Sequence, residues 1–143
     1  MSEQNKALLR RFYDEVFHKK NVKAVDEFLA PNAVDHSLPP GTPQGREGVK
    51  QLLSMYMTAF PDMEMKAEDM IAEGDRLVSR WTATGTHKGP LMGIAPTGKR
   101  ITISGIEIVR FQNGKMVEHW EAMDMLGMYQ QLGINPSAAQ GGR

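Results

Sequence analysis

The segment RITISGIEIVRFQNGKMVEHWEAMD, residues 100–124, decides the fold of this 143-residue chain. Asn113 and Gly114 lie between two runs in which apolar and polar residues alternate, and both residue types tolerate the positive φ angles of a tight turn. The segment therefore predicts a β-hairpin, with strands from Arg100 to Phe111 and from Lys115 to Asp124. Strands of this length twist and curl, so we expect the sheet to have a concave face.

Two more strands precede the hairpin, separated by the turn signal Glu73-Gly74-Asp75. The second of them runs from Arg76 to His87. The first covers residues 63–71, and its alternation places on one face Met63, Met65, Ala67, Asp69 and Ile71. The glycine- and proline-rich chain between Lys88 and Lys99 then forms a long loop. Loops of this length are often functional, so this one is either a rim or lid over a pocket or a flexible surface excursion.

Apolar residues in the first half of the chain recur at helical spacing. They predict three helices, over residues 3–19, from Asn21 to Pro31 and from Val49 to Phe60. Ser2 is a plausible N-cap for the first helix. A short helix over residues 126–132 is expected after the last strand.

Helices followed by hairpin-linked strands indicate an α+β fold. We expect a conical barrel, in which a strongly curved antiparallel sheet is covered by the three N-terminal helices. The interior of such a cone is a place where small ligands bind. Residues 1–136 are predicted to form this single domain, and residues 137–143 a flexible C-terminal tail.

Composition excludes several classes of protein. Lys+Arg and Asp+Glu both number 17, so the net charge does not suggest binding to nucleic acid. The absence of cysteine excludes disulfides, thiolate zinc sites and thiol nucleophiles. No apolar run approaches the roughly 20 residues of a membrane span, and no signal segment is evident, so we expect a cytosolic protein. The 11 methionines suit either an adaptable apolar pocket or plain core filling.

Six segments, taken in order, carry a family resemblance over about residues 7–133: RRFYDEVF, AVDHSLPPG, AFPDMEM, RWTATGTHKGPLMGIAPTGKRITISGIEIVRF, NGKMVEHWEAMD and MYQQLG. In this order and spacing, the chain resembles the SnoaL-like polyketide cyclases of the nuclear-transport-factor-2-like superfamily. The resemblance implies a conical α+β barrel, often a homodimer through the outer face of the sheet. It also implies a site that works without cofactor or metal.

The last predicted strand supplies the leading acid/base candidate. Trp120, Ala122 and Asp124 share one face by the two-residue period, and we take that face as the inner one. The cyclases have an acid/base aspartate on this strand, and Asp124 is the residue that resembles it. A carboxyl in an apolar pocket has a raised pKa, which suits a general base. The alternative is that Asp124 caps the helix that follows.

Three histidines are further candidates. His119 either shuttles protons in the pocket, reached through a bulge, or faces outward at a dimer interface. His36 is expected at the mouth of the cone, in a segment that resembles the one holding a base in ketosteroid-isomerase-like relatives. His87 shares a face with Trp81 and is expected to point inward. Three histidines are enough for zinc, but none has tight ligand spacing, so no metal is predicted.

The predicted substrate-binding residues are mainly aromatic, namely His87, Trp81, Trp120, Tyr13 and Tyr56. The two tyrosine hydroxyls either hold a substrate oxygen or bond to a backbone carbonyl. Glu107 lies among aliphatic residues on its strand. It is therefore either buried with a perturbed pKa or part of a dimer contact.

The leading hypothesis is a cofactor-independent cyclase for a small apolar carbonyl compound. Asp124, with His36 or His119, would remove a proton α to a carbonyl, neutral donors would hold the enolate oxygen, and aldol-type ring closure would follow. One alternative is a non-catalytic small-molecule-binding protein of the same fold. Another is a dehydratase or epoxide-hydrolase-like relative, which the predicted outward faces of Arg80 and Arg110 disfavour.

Overall fold

A five-stranded sheet and four α-helices make up residues 2–134, the part of the chain that the computed structural model describes. The helices are α1 (Ser2–Phe12), α2 (Val25–Phe28), α3 (Arg46–Ala59) and α4 (Met125–Leu132), with a π-helix at Tyr13–His18 and a 3₁₀ turn at Val22–Ala24. The strands are β1 (Leu29–Asp35), β2 (Glu64–Glu73), β3 (Arg76–Thr86), β4 (Arg100–Gln112) and β5 (Lys115–Met123). The predicted α+β class is confirmed.

The strand order in the sheet is β1-β5-β4-β3-β2. Strands β2 to β5 form an antiparallel meander, and β1 is parallel to β5, so the sheet is mixed where an antiparallel one was predicted. Asn113 and Gly114 form the predicted hairpin turn, with φ angles of 54° and 75°. The hairpin therefore fixes the register of the two strands that carry most of the site.

The predicted second helix is shorter than expected. A 3₁₀ turn and a four-residue helix end at Phe28, and β1 begins at Leu29. Pro31 lies inside β1 and does not stop a helix. This is possible because β1 is an edge strand that pairs only with β5, so the missing N–H can face away from the ladder.

Strand β2 contains a bulge that reverses its alternation. Ala67 pairs with Trp81 and Asp69 with Arg80, so Glu68 is the extra residue. After the bulge, Ile71 is 67% exposed, and the prediction that it shares the inner face with Met65 is wrong. Arg80 lies on the outer face, as predicted, and forms an ion pair with Asp69.

The loop between β3 and β4 is tied to the end of α3. The N–H groups of Lys88 and Gly89 donate to the carbonyl of Ala59. A Cβ at Gly89 would lie 2.2 Å from the carbonyl oxygen of Thr58, so this close approach requires glycine. Met92, at the tip of the loop, is 48% exposed.

The helices pack on the concave face of the sheet, and one continuous apolar core joins the two layers. Within residues 2–134, no helix has the length and apolar character needed to cross a membrane. The tail predicted over residues 137–143 lies outside the described residues, and the single-domain assignment stays a prediction.

Candidate active site

A cavity of about 340 Å³ lies between the concave face of the sheet, the π-helix and α3. Its wall is mostly apolar, with methionine and aromatic side chains from both layers. Met92 of the β3–β4 loop lines the cavity, which favours the rim interpretation of that loop. The polar residues of the wall come mainly from β1, β4 and β5.

A bulge in β5 decides which side chains enter the cavity. Phe111 pairs with Met116 and Arg110 with Glu118, so Val117 is an extra residue with no partner. An extra residue in one strand reverses its faces from that point on. His119 lines the cavity in place of Trp120, and the prediction that the Trp120 face is the inner one is wrong.

Three consecutive rows of inner-face residues cross the sheet: Asp35–His119–Val109–Leu77, Glu121–Glu107–Ser79 and Met123–Gly105–Trp81. Each row joins residues that are directly opposite in neighbouring strands, so their side chains are in contact range. The π-helix adds Tyr13 above the second row, because its wide turn directs the phenol toward the sheet. The polar groups of three strands and one helix thus converge.

Hydrogen bonds link these polar groups into a chain. The two ring nitrogens of His119 donate to Asp35 Oδ1 and Glu107 Oε1, each at 3.0 Å. The Tyr13 hydroxyl donates to the other oxygen of Glu107 and lies 3.0 Å from Ser79 Oγ. Each ring nitrogen of His119 thus has a carboxyl oxygen as its partner, and an imidazolium, which carries an N–H at both nitrogens, satisfies both contacts.

Electrostatics agree with this protonation state. Burial alone would lower the pKa of His119, but the hydrogen bonds and charges of Asp35 and Glu107 hold that pKa well above its ordinary value. Burial would raise the pKa of Asp35, but its bonds to His119 and Ser37 lower it overall. Burial, and then the charge of Glu107, raise the pKa of Tyr13, so its phenol stays neutral.

Glu121 is the carboxyl of the cluster that titrates near neutrality. Burial, followed by the charge of Glu107, raises its pKa from 4.5 to about 7, against the opposing charge of His119. Burial and then the charge of Glu121 also raise the pKa of Tyr56 to about 12. The Tyr56 hydroxyl makes one weak contact, 4.0 Å to Met125 Sδ. Glu121 is therefore poised to exchange a proton at physiological pH.

The same cluster is the candidate position for a cation among residues 2–134. Ligand atoms of Glu107, His119 and Glu121 lie within 4.8 Å of one another. Both His119 nitrogens are engaged by carboxylates, however, so the protons of this cluster already provide the balancing positive charge. The arrangement fits proton transfer better than the holding of a metal.

Asp124, the predicted base, lies on the surface and caps α4. Its side chain accepts a hydrogen bond of 2.8 Å from the N–H of Gly127, which is the capping role that the sequence left open. It does not line the cavity. Its inward orientation was predicted from a parity that the Val117 bulge reverses.

Two other predicted residues form a cluster on the outer face of the sheet. The rings of His36 and Trp120 stack with centroids 4.9 Å apart, and His36 Nε2 lies 2.7 Å from Glu118 Oε2. Arg110 binds the other oxygen of Glu118, which agrees with its predicted outward face. His36 was predicted at the cavity mouth, but it lies on the outer face with Trp120 and Glu118. The residue before it, Asp35 at the end of β1, faces inward and is 7% exposed.

His87 is buried but does not line the cavity. Its Nδ1 accepts from the N–H of Thr97 at 3.2 Å, and its backbone pairs with Gly98 and Lys99. It thus closes the base of the β3–β4 loop. Trp81, Tyr13 and Tyr56, by contrast, line the cavity as predicted.

Sequence reasoning missed Asp35 and Glu121. The signal for Asp35 was available: it alternates with Ala33 along β1, and an apolar inner face there would have included it. The signal for Glu121 was hidden, since its parity depends on the bulge. Glu107 was recognised as a carboxylate among aliphatic residues, and of its two predicted outcomes the structure shows burial, with 6% exposure.

Comparisons with known proteins identify the family of this chain. The model of the family described as SnoaL-like polyketide cyclase matches residues 7–132. The aklanonic acid methyl ester cyclase DnrD of Streptomyces peucetius is 31% identical, over 75% of this chain and 72% of its own. The nogalonic acid methyl ester cyclase of Streptomyces nogalater is 27% identical, over 82% of this chain and 89% of its own.

Among solved structures, TsrD from Streptomyces laurentii superposes with a TM-score of 0.86 at 27% identity, covering 94% of this chain and 98% of TsrD. Fold and sequence relatives therefore point the same way. The chain belongs to the SnoaL-like polyketide cyclase family.

Proposed function

We propose that this protein is a cyclase that closes a ring by an aldol-type reaction, with Glu121 as its acid/base. The observation that carries the proposal is a carboxyl whose pKa is raised to about 7 in an apolar cavity, beside an imidazolium that is already neutralised by two other carboxylates. A general base works best when its pKa is near the operating pH.

The proposed reaction needs one base and no net loss of atoms. Ionised Glu121 takes a proton from the carbon α to a carbonyl. The electron pair of that C–H bond forms the C=C bond of the enolate, and the π pair of the C=O bond moves onto the carbonyl oxygen. The resulting enolate carbon attacks a second carbonyl of the same molecule and forms the new C–C bond. Protonated Glu121 then returns its proton to the alkoxide, which yields a β-hydroxy carbonyl product.

The charge of the cavity supports a substrate without a free carboxylate. Among the residues that line it in the described chain there is no lysine or arginine, whereas Asp35, Glu107 and Glu121 supply carboxyl groups. A carboxylate ligand would meet uncompensated like charge in a desolvated site. The named substrates of the relatives, aklanonic and nogalonic acid methyl esters, are esters, and we propose substrates of this kind here.

Two other functions stay as outcomes of the test. A binding protein of the same fold would retain an apolar ligand without turning it over. A dehydratase is favoured by one specific observation, the pairing of His119 with Asp35, since an imidazolium is an acid that can protonate a leaving hydroxyl.

The test is turnover of the two methyl esters by the wild type, by Glu121→Gln and by Asp124→Asn. We expect Glu121→Gln to lower kcat by about 10³-fold, within the range for a lost acid/base, and Asp124→Asn to retain wild-type kcat. Full activity of Glu121→Gln would exclude Glu121 as the base. Release of water from the product would favour the dehydratase, and unreacted bound ester would favour the binding protein.

We also propose that a second copy of the chain covers the outer face of the sheet. Ile106 is 50% exposed there and pairs with the exposed Ala122, beside the Ile108–Trp120 pair. Light scattering should report a dimer, and Ile106→Lys should give a monomer; a wild-type monomer at high concentration would contradict the proposal. The cytosolic location stays a prediction.

A further inference from the structure

The indole N–H of Trp81 is a buried donor without an acceptor. Trp81 is 3% exposed and lines the cavity. Within residues 2–134, its Nε1 has no hydrogen-bond partner of acceptable geometry. Leaving a buried donor unpaired costs free energy, and such groups in a cavity are typical of positions where a ligand supplies the acceptor.

The neighbouring strand fixes the direction of this indole. Trp81 in β3 is directly opposite Gly105 in β4. A Cβ at Gly105 would lie 2.3 Å from Cζ2 and 2.6 Å from Cε2 of the indole, so the ring lies across the glycine, in the place where any other side chain would stand. The indole N–H is near enough to the Glu121 carboxyl to lower the pKa of that group, although their geometry falls short of a hydrogen bond.

The other donors of the cavity are mostly engaged. Tyr13 donates to Glu107, and both nitrogens of His119 donate to carboxylates. The Tyr56 hydroxyl has only its weak contact with Met125. Among the described residues, a substrate oxygen that enters beside Glu121 therefore meets the phenol of Tyr56 and the indole of Trp81 as available donors.

We propose that the Trp81 indole N–H donates the hydrogen bond that holds the enolate oxygen of the substrate, and that Gly105 is the positioning residue that lets it do so. This inference rests on the proposed aldol chemistry. As Glu121 takes the α-proton, negative charge develops on the carbonyl oxygen, and a preorganised donor in a desolvated site stabilises that charge. When the C–C bond forms, the enolate oxygen becomes a neutral carbonyl again.

The first test is binding and does not need turnover. The chain has two tryptophans, so Trp120→Phe leaves one indole resonance in a ¹H–¹⁵N spectrum, that of Trp81. The probe is acetophenone, a neutral aromatic ketone, because its carbonyl oxygen is the kind of atom that becomes an enolate oxygen and it brings no charge to the carboxylates of the cavity. We expect its binding to move the indole proton of Trp81 downfield. Binding that shifts cavity methyl signals but leaves the indole proton in place would overturn the proposal.

The second test is kinetic and separates the donor role from a structural one. In Trp81→Phe we expect the plateau kcat to fall by about 10²-fold, as for a lost oxyanion donor, with KM nearly unchanged. The pH midpoint should also move upward, because the indole lowers the pKa of Glu121. If Trp81 only tunes Glu121, the midpoint moves upward while the plateau kcat stays at the wild-type value, and the proposal is then wrong.

A benzothienylalanine at position 81, in the Trp120→Phe background, replaces the N–H by sulfur and keeps the shape if Trp81→Phe does not fold. It should reproduce the loss of kcat, and full kcat in that variant would contradict the donor role. Gly105→Ala should lower kcat as well, because the displaced indole no longer reaches the substrate oxygen. If the wild type turns over no ester, the proposed function fails, while the indole shift still decides whether Trp81 binds a carbonyl oxygen.

Discussion

Two histidine–carboxylate pairs lie on opposite sides of β5, one inside the cavity and one outside. The outer pair, His36 with Glu118, is the closer one at 2.7 Å. The inner histidine, His119, is 3.0 Å from each of its two carboxylates. The outer ring is 43% exposed and the inner one 24%. Since water screens exposed charges, we expect burial, and not distance, to decide which pair contributes more to the free energy of unfolding.

The inner pair also has a different task from the outer one. Its two carboxylates hold the pKa of His119 well above its ordinary value, and the pKa of the remaining carboxyl, Glu121, is raised to about 7. The outer pair neutralises one surface carboxylate, with help from Arg110. The same residue types therefore form a buried cluster with a raised carboxyl pKa on one face of the strand and a surface ion pair on the other.

Deletion of Val117 should abolish this difference and have the largest effect. Without the bulge, the two-residue period would turn His119 and Glu121 outward and bring Trp120 into the cavity. We expect loss of cooperative thermal unfolding, measured by circular dichroism, and loss of ester turnover. Val117→Ala keeps the extra residue and should fold and turn over normally. A folded, active deletion variant would show that the bulge does not set the faces.

Matched substitutions of the two histidines should give the next largest effect. His119→Asn leaves Asp35 and Glu107 buried without their cation, and we expect a loss of about 3 kcal/mol in the free energy of unfolding. His36→Asn should cost about 0.5 kcal/mol or less, as for other exposed pairs. Urea denaturation measures both. If both variants lost the same free energy of unfolding, burial would not determine the contribution of each pair to stability.

The pH dependence of stability should differ in sign between the two faces. The pKa of Glu121 is raised from 4.5 to about 7, so its contribution to stability is fully present below pH 4.5 and is lost as the pH rises to about 7. The pKa of Glu118 is lowered by its bonds to His36 and Arg110, so its contribution is present above 4.5 and is lost in acid.

Stability curves of Glu121→Gln and Glu118→Gln against the wild type measure these two contributions. We expect the wild type to lose stability relative to Glu121→Gln between pH 4.5 and 7, and the effect of Glu118→Gln to be small because that carboxylate is exposed to solvent. If the stability of the wild type and of Glu121→Gln changed in parallel between pH 4.5 and 7, the pKa of Glu121 would not be raised.

The smallest effect is expected at Asp124, which lies on the outer side of the strand end. Asp124→Ala removes the N-cap of α4 and should cost about 1 kcal/mol in thermal or urea unfolding. Asp124→Asn retains a capping oxygen and should be nearly neutral. A large loss of turnover with normal stability in Asp124→Ala would indicate that Asp124 takes part in the reaction.

The sequence predicted those parts of the molecule in which alternation is uninterrupted. Strand β4 has no bulge between Ile101 and Val109, and its inner face, including Glu107, follows the predicted parity. The hairpin turn at Asn113 and Gly114 follows from residues that accept positive φ. Local chemistry was enough in both places.

Bulges account for the residues that were placed on the wrong face. The bulge at Val117 inserts a valine that is indistinguishable by type from a paired strand residue, and Trp120 is large and apolar whether it faces a core or an outer surface. The bulge at Glu68 has the same effect on Ile71. Which residue is extra depends on the pairing with the neighbouring strand, and a single strand's periodicity does not contain that information.

The distances along the chain between the joined residues have a consequence for folding. Tyr13 and Glu107 are 94 positions apart, and Asp35 and His119 are 84 apart. Loops of this length close slowly, and the parallel β1–β5 pairing is non-local as well. We expect the charged cluster to be assembled among the last steps of folding, after the local meander has formed. The raised pKa of Glu121 should then appear only at the end of folding, when the cluster is complete.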